Sequence, residues 1–251
     1  MLTLKANDDM LYDTEYYTKL QGFFYRLLFY AGFKDLHDTK GFKYFSFSNI
    51  FPYPEGGKIH KGDIKKVIFA SPNKEYVKKI AEVIKEVYLK QEINIGYMRF
   101  NVEELKTYTL KLRKGMLIRT ATPAVIRIPS KMYSLMGLNR EKAKDKFLYW
   151  RPELGTDVFV NLAERNLRKK FCSFYGNCKT QIHFIEAYRL IKAPVVVNLL
   201  IKNTKIKVTG SLWEFYYPDV SDKAKEISFM LDAGIGERNS YGFGFLNVLK
   251  S

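Results

Sequence analysis

The sequence predicts an α+β protein built of two tandem ferredoxin-like (RRM-like) βαββαβ domains, with a glycine-rich loop near the C-terminus. Three observations predict it. Apolar periodicity runs strand, helix, strand, strand, helix, strand over residues 1–100, and a similar order with extra hairpins follows over residues 101–251. The 251 residues give room for two domains of ordinary size. Four glycines fall between positions 234 and 244. A chain that is 47% hydrophobic and 16% aromatic is also too apolar for a disordered tail, and too long for a disulfide-stapled miniature.

The elements follow in order. Leu2 to Ala6 reads as a strand. From about Thr14, Tyr17, Leu20, Phe24, Leu27, Leu28 and Ala31 recur at spacings of three and four, which predicts a helix stopped at Gly32. Lys43 to Ser48 and Lys65 to Ala70 read as strands flanking a turn-rich stretch with Pro52, Pro54, Gly56, Gly57 and Gly62. Ser71-Pro72-Asn73 caps a helix through about Leu89, followed by a strand from Ile93 to Phe100. In the second half, Leu105 to Leu112 and Met116 to Ile128 read as strands around Arg113-Lys114-Gly115. A helix is expected from about Gly155 to Phe174, then long β runs, Ile182 to Ile201 and Lys205 to Tyr217. Asp219 or Ser221 caps a last helix to about Ala233, and Phe243 to Leu249 closes the fold.

Lys plus Arg number 42 against 26 Asp plus Glu, a net charge of +16. Such an excess points to a polyanionic partner. Residues 1–100 carry 16 basic and 12 acidic side chains, whereas residues 101–251 carry 26 and 14. The second half is therefore the expected electrostatic platform. Clusters at Arg140 to Lys146 and Arg165 to Lys170 stand among Phe147, Tyr149, Trp150 and Phe171, a mixture suited to phosphates and unstacked bases, or equally to a solvated lysine-rich surface.

The longest strongly apolar stretch, Ala193 to Ile201, is far short of the roughly 20 residues of a membrane-spanning helix. The opening MLTLKANDDM lacks the apolar region and cleavage site of a secretory signal, so a cytoplasmic location is expected. Cys172 and Cys178 lack the paired spacing of a zinc site and read as reduced thiols, with a local disulfide left open. Neither a metal site nor a cofactor is expected.

The run Gly234-Ile235-Gly236-Glu237-Arg238-Asn239-Ser240-Tyr241-Gly242-Phe243-Gly244 allows positive φ angles and close approach of backbone N–H groups to a phosphate. Dinucleotide and P-loop fingerprints run strand, glycine loop, helix. Here the order is helix, loop, strand, so both are rejected. A tight turn is the alternative to a binding loop.

The segment from Ala233 to Val248 resembles the C-terminal signature of the CRISPR-associated endoribonucleases that cut precursor CRISPR RNA within its repeats, sixth in the Cas numbering and members of the RAMP superfamily. That resemblance implies tandem ferredoxin-like domains, the layout reached above from periodicity. A second match covers Gln21 to Tyr25 and Leu36 to Ser48. In similar family members a helix tyrosine, a histidine beyond that helix and a lysine six residues further form the catalytic set. By resemblance these are Tyr25, His37 and Lys43, with Tyr30 an alternative to Tyr25. The loop residues Gly234, Gly236, Arg238, Asn239, Ser240, Gly242 and Gly244 are the implied RNA-binding set.

The residue types suit metal-free RNA cleavage. Attack of a 2′-hydroxyl on the adjacent phosphorus needs a base, an acid for the departing 5′-oxygen and a cation for the phosphate charge. Imidazole titrates at about 6.5, near the working pH, and lysine supplies charge. A phenol titrates at about 10, and a neighbouring Lys43 is expected to lower that value for Tyr25. Whether Tyr25 or His37 is the base stays open. The bland readings are a surface histidine, a core tyrosine and a solvated lysine.

The expected activity is thus a metal-independent endoribonuclease giving a 2′,3′-cyclic phosphate and a 5′-hydroxyl. Its expected partners are CRISPR repeat RNA and, as a candidate, a CRISPR effector complex, the protein being a monomer or homodimer. The alternatives are a non-catalytic RNA-binding subunit of a CRISPR ribonucleoprotein and a general single-strand RNA-binding protein. Leu2 to Ala6 and Lys43 to Ser48 lack the full RRM aromatic signature, which weakens the latter.

Overall fold

The computed structural model describes residues 1–133, 147–176, 182–201 and 204–250. The first unit runs β1 (Leu2–Ala6), β2 (Met10–Leu11), α1 (Tyr16–Tyr30), β3 (Ser46–Phe47), β4 (Lys58–Ile59), β5 (Ile64–Val67), β6 (Phe69–Ala70), α2 (Lys74–Val83), β7 (Glu92–Ile95) and β8 (Met98–Leu105). β1 is central, antiparallel to β5 on one side and to β8 on the other. β3 pairs with β6, and a bridge from Phe51 to Lys66 joins that ribbon to β5. Counting β5 and β6 as one bent strand, the order is second, third, first, fourth, the antiparallel order of a ferredoxin-like unit.

Local chemistry explains the element ends. α1 buries Tyr16, Tyr17, Leu20, Phe23, Phe24, Leu27 and Leu28 along one face. It stops before Gly32, whose φ is +95°. α2 starts at Asn73, whose side chain accepts the Glu75 N–H at 3.0 Å. Two expectations are corrected. Ile93 to Phe100 is not one strand but the β7–β8 hairpin, because Gly96 at φ +65° turns the chain there. β8 ends at Leu105, so the expected strand Leu105 to Leu112 does not form.

The second unit repeats the order with β9 (Met116–Thr120), β10 (Arg127–Pro129), β11 (Phe147–Tyr149), α3 (Thr156–Tyr175), β12 (Ala187–Ile201), β13 (Thr204–Tyr217), α4 (Ala224–Ala233) and β14 (Leu246–Lys250). Its sheet runs β12-β13-β9-β14, every neighbour antiparallel. The expected strand Met116 to Ile128 is broken after Thr120 and resumes as β10, which pairs with β11 as an inserted ribbon. Among the described residues no helix is long and apolar enough to cross a membrane.

Each unit has its own core. In the second, Phe159, Leu167, Trp213, Phe215, Phe229 and Met230 are buried together. The first core, built on Leu4, Leu20, Phe24, Phe47 and Phe100, also takes in Val125, Leu199, Val208 and Phe243 from the second half of the chain. The β12–β13 hairpin and the glycine-rich region therefore complete the first core. Leu199→Ala, in the second unit, should lower global stability by about 2–5 kcal/mol. A urea titration followed by circular dichroism checks it, and an unchanged midpoint would mean that Leu199 does not join the two units.

Candidate active site

α1 carries Tyr25 on its margin, half-buried, between the buried positions Phe24 and Leu28. The chain leaves α1 at Gly32 and makes a short turn at Lys34–Leu36, which delivers His37 to the surface. The His37 ring meets the Tyr25 ring edge-on, with centroids 5.1 Å apart. Phe45, fully buried, holds the other side of Tyr25 at 5.4 Å. Tyr30 is 59% exposed and its ring lies against Phe29 instead, so the geometry favours Tyr25 over Tyr30.

His37 Nδ1 lies 2.9 Å from Asp38 Oδ1. An ionised carboxylate only accepts, so Nδ1 is the donor of this pair. Lys43 is placed differently from the sequence expectation. Its ammonium donates to the carbonyls of Leu36 at 2.5 Å and His37 at 3.1 Å, and also to that of Thr39. It clamps the turn that carries His37. Partial burial lowers the Lys43 pKa, against the pull of Asp38.

The Tyr25 phenol also departs from expectation: its pKa is raised, not lowered. Burial is the main cause, partly offset by a hydrogen bond with Ser240. The Lys43 ammonium is turned into the turn carbonyls.

Ser240 belongs to the glycine-rich loop, so the structure brings Tyr25 and this loop together. Gly242 lies against Phe47 of β3, where a Cβ would come within 2.4 Å of the ring. Phe243 stacks on Tyr17 of α1 at 5.0 Å, and Ser46 Oγ donates to the Asp232 carbonyl at 3.2 Å. All four loop glycines are buried and have positive φ. A Cβ on Gly236 would stand 2.5 Å from the Val125 carbonyl oxygen, and one on Gly244 would stand 1.9 Å from that of Ile235. The glycines are thus required by packing. The loop's half-buried members are Glu237, Arg238, Asn239, Ser240 and Tyr241. Asn239 turns inward, donating to Ile235 O at 3.1 Å and Phe243 O at 2.9 Å, while the Arg238 guanidinium lies over the Tyr241 ring at 5.9 Å.

Two features of the basic clusters are corrected. Trp150 and Phe171 are core residues, and Lys170 is buried beneath the loop rather than displayed to solvent. Arg140 to Lys146 lies outside the described residues. Cys172 is disulfide-bonded, not a reduced thiol, while Cys178 lies outside the described residues. Among the described residues no group of three or more His, Cys, Asp or Glu side chains is placed to hold a metal ion.

Two ferredoxin-like units in tandem, tied by a glycine-rich loop of the second that packs on α1 and β3 of the first, define a double ferredoxin-like protein. Residues 106–248 match the family model described as CRISPR associated protein Cas6, C-terminal. A CRISPR-associated endoribonuclease Cas6 of Haloferax mediterranei is 33% identical over 260 residues, covering 100% of this chain and 93% of that relative. Another, of Methanocaldococcus jannaschii, is 27% identical over 257 residues, covering 99% and 98%. A solved structure described as CRISPR associated protein Cas6 superposes with a TM-score of 0.70 at 19% identity, covering 99% of this chain and 98% of that one, a likeness of fold. The chain belongs to the Cas6 family of CRISPR-associated endoribonucleases.

The loop's packing sets a measurable contrast. Gly244→Ala meets backbone at positive φ and should lower stability by more than about 2 kcal/mol, whereas Gly32→Ala, in open space, should cost only about 1 kcal/mol. Thermal melts of the two variants check this; equal effects would mean that the loop tolerates a side chain.

Proposed function

We propose that this protein cuts precursor CRISPR RNA within its repeats, without a metal ion, by attack of the 2′-hydroxyl on the adjacent phosphorus. The bond from 2′-oxygen to phosphorus forms as that from phosphorus to 5′-oxygen breaks. One proton leaves the 2′-hydroxyl and another reaches the departing oxygen, giving a 2′,3′-cyclic phosphate and a 5′-hydroxyl. The observation that carries this reading is the convergence of Tyr25 and His37, from the first unit, with Ser240 of the second.

The roles follow from the environments. His37 exposes an imidazole whose Nε2 is free to exchange a proton while Asp38 fixes the ring through Nδ1. Tyr25, its pKa raised, stays a neutral phenol at working pH and orients RNA by donating a hydrogen bond. Lys43 holds the His37 turn and brings positive charge to the same place. Arg238 and Ser240 are the loop side chains offered to RNA, and the glycines shape the surface that presents them. Residues 1–100 then supply the chemistry, and the more basic residues 101–251 supply most of the attraction for phosphate.

In EDTA, single-turnover cleavage of a labelled repeat RNA should be slowed about 10² to 10⁴-fold by His37→Ala. A 2′-deoxy nucleotide at the scissile position should block cleavage and leave binding; cleavage of that substrate excludes the mechanism. Tight binding without any cut would favour the non-catalytic subunit. A tyrosinate base would make the rate climb tenfold per pH unit to above about 10. We expect the cleavage rate at saturating protein to level off before pH 9, because Tyr25 remains protonated.

A further inference from the structure

Lys170 sits on the apolar face of α3, in line with Phe159, Ala163, Leu167 and Phe171, and is 3% exposed. Its ammonium donates to the Gly234 carbonyl at 2.6 Å, the Gly236 carbonyl at 3.1 Å and Asn239 Oδ1 at 2.9 Å. All three of its N–H groups are thereby directed into the glycine-rich loop. A lysine taken out of water is expensive unless its donors are satisfied, so this placement has to be matched by a feature of the loop. The positive φ angles of Gly234 and Gly236 turn their carbonyls inward, where Lys170 meets them. Asn239 relays the hold to both flanks through Ile235 and Phe243.

We infer that Lys170 is a positioning residue for RNA binding: its three hydrogen bonds hold the glycine-rich loop in the arrangement that sets Ser240 beside Tyr25 and lays Arg238 over Tyr241. This rests on the endoribonuclease reading for its RNA, but its hold on the loop is independent of it. Desolvation lowers its pKa to about 7, with the Glu237 carboxylate, itself paired to Arg127, pulling the other way. Lifting the loop would expose Lys170 and restore its ordinary pKa, so rising pH favours the covered arrangement.

The global term has the same sign. Between about pH 7 and 10 the unfolded chain binds more protons at Lys170 than the folded chain does, so overall stability from this group rises with pH.

The experiment uses the full chain with His37→Ala, so that RNA is bound but not cut. At pH 6, Lys170→Gln, which keeps a donor amide without the charge, and Lys170→Met, which keeps the length without donors, should each weaken its affinity for repeat RNA by at least about tenfold, the loss of one charged hydrogen bond. Deuterium exchange across residues 234–244 should be faster in Lys170→Gln than in the parent at pH 6, with RNA absent. A Lys170→Gln or Lys170→Met protein with parental affinity and loop exchange overturns the proposal. A wild type that fails to bind repeat RNA, while the loop still loosens in Lys170→Gln, overturns the RNA reading and the role of Lys170 in it, but not the hold on the loop.

Discussion

The site depends on a close approach of backbone that no side chain permits. At Gly236 the loop touches the Val125 carbonyl, at Gly244 it touches its own Ile235, and at Gly242 it touches Phe47 of the other unit. These contacts leave no space for a Cβ, and the positive φ angles exclude most L-residues in any case. The loop therefore has one shape, and that shape is read against two frames at once. It is bonded to the second unit through Glu237 N–H to Val125 O and Gly244 N–H to Pro123 O, and it is packed on α1 and β3 of the first. Tyr25 gains its Ser240 partner only because both frames agree.

The duplication explains where this loop comes from. In both units a second helix leads to the last strand of the sheet. After α2 the first unit uses a short turn and adds β7 as an extra edge strand before β8. After α4 the second unit spends the equivalent connection on the glycine-rich loop and goes directly to β14. One topological position thus lengthens a sheet in one copy and reaches across to the other copy in the second. The first core confirms the direction of dependence, since Phe243, Val125, Leu199 and Val208 are buried in it.

Much of this was legible in the sequence where one periodicity ruled a segment. α1 and α3 show apolar spacings of three and four, and the glycine cluster announced tight backbone even without its partners. The misses share a cause, which is that burial is a property of the tertiary neighbour. Lys170 follows two other basic residues at 168 and 169, so its composition read as solvated surface; its spacing of three from Leu167 and seven from Ala163 was the signal that it shares the buried stripe. Trp150 read as a base-stacking candidate, but its indole N–H is bonded to the Gly155 carbonyl inside the second core. Gly96 ended one strand and began another within a run whose alternation continued on both sides, and alternation alone does not mark a hairpin. Lys43 was found as a residue, but its direction, into the carbonyls of its own turn, is set by a loop that no periodicity describes.

The charges divide by depth as well as by domain. The net +16 is spread over the surface, where salt screens it and where it attracts any polyanion without choosing a geometry. Geometry needs charges whose positions are fixed. Lys43 and Lys170 are the two lysines whose ammonium groups are each bound to three acceptors near the site, one in the turn of His37 and the other under the loop. Each spends its donors on protein carbonyl or amide oxygens, so neither is free to follow an incoming phosphate. The charge of Lys43 is aligned by structure that forms before RNA arrives, and a preorganised charge needs little rearrangement when a phosphate becomes more negative in the transition state. Long-range attraction and short-range selectivity are thus served by different lysines, the first by many mobile ones and the second by a few whose hydrogen bonds hold them still.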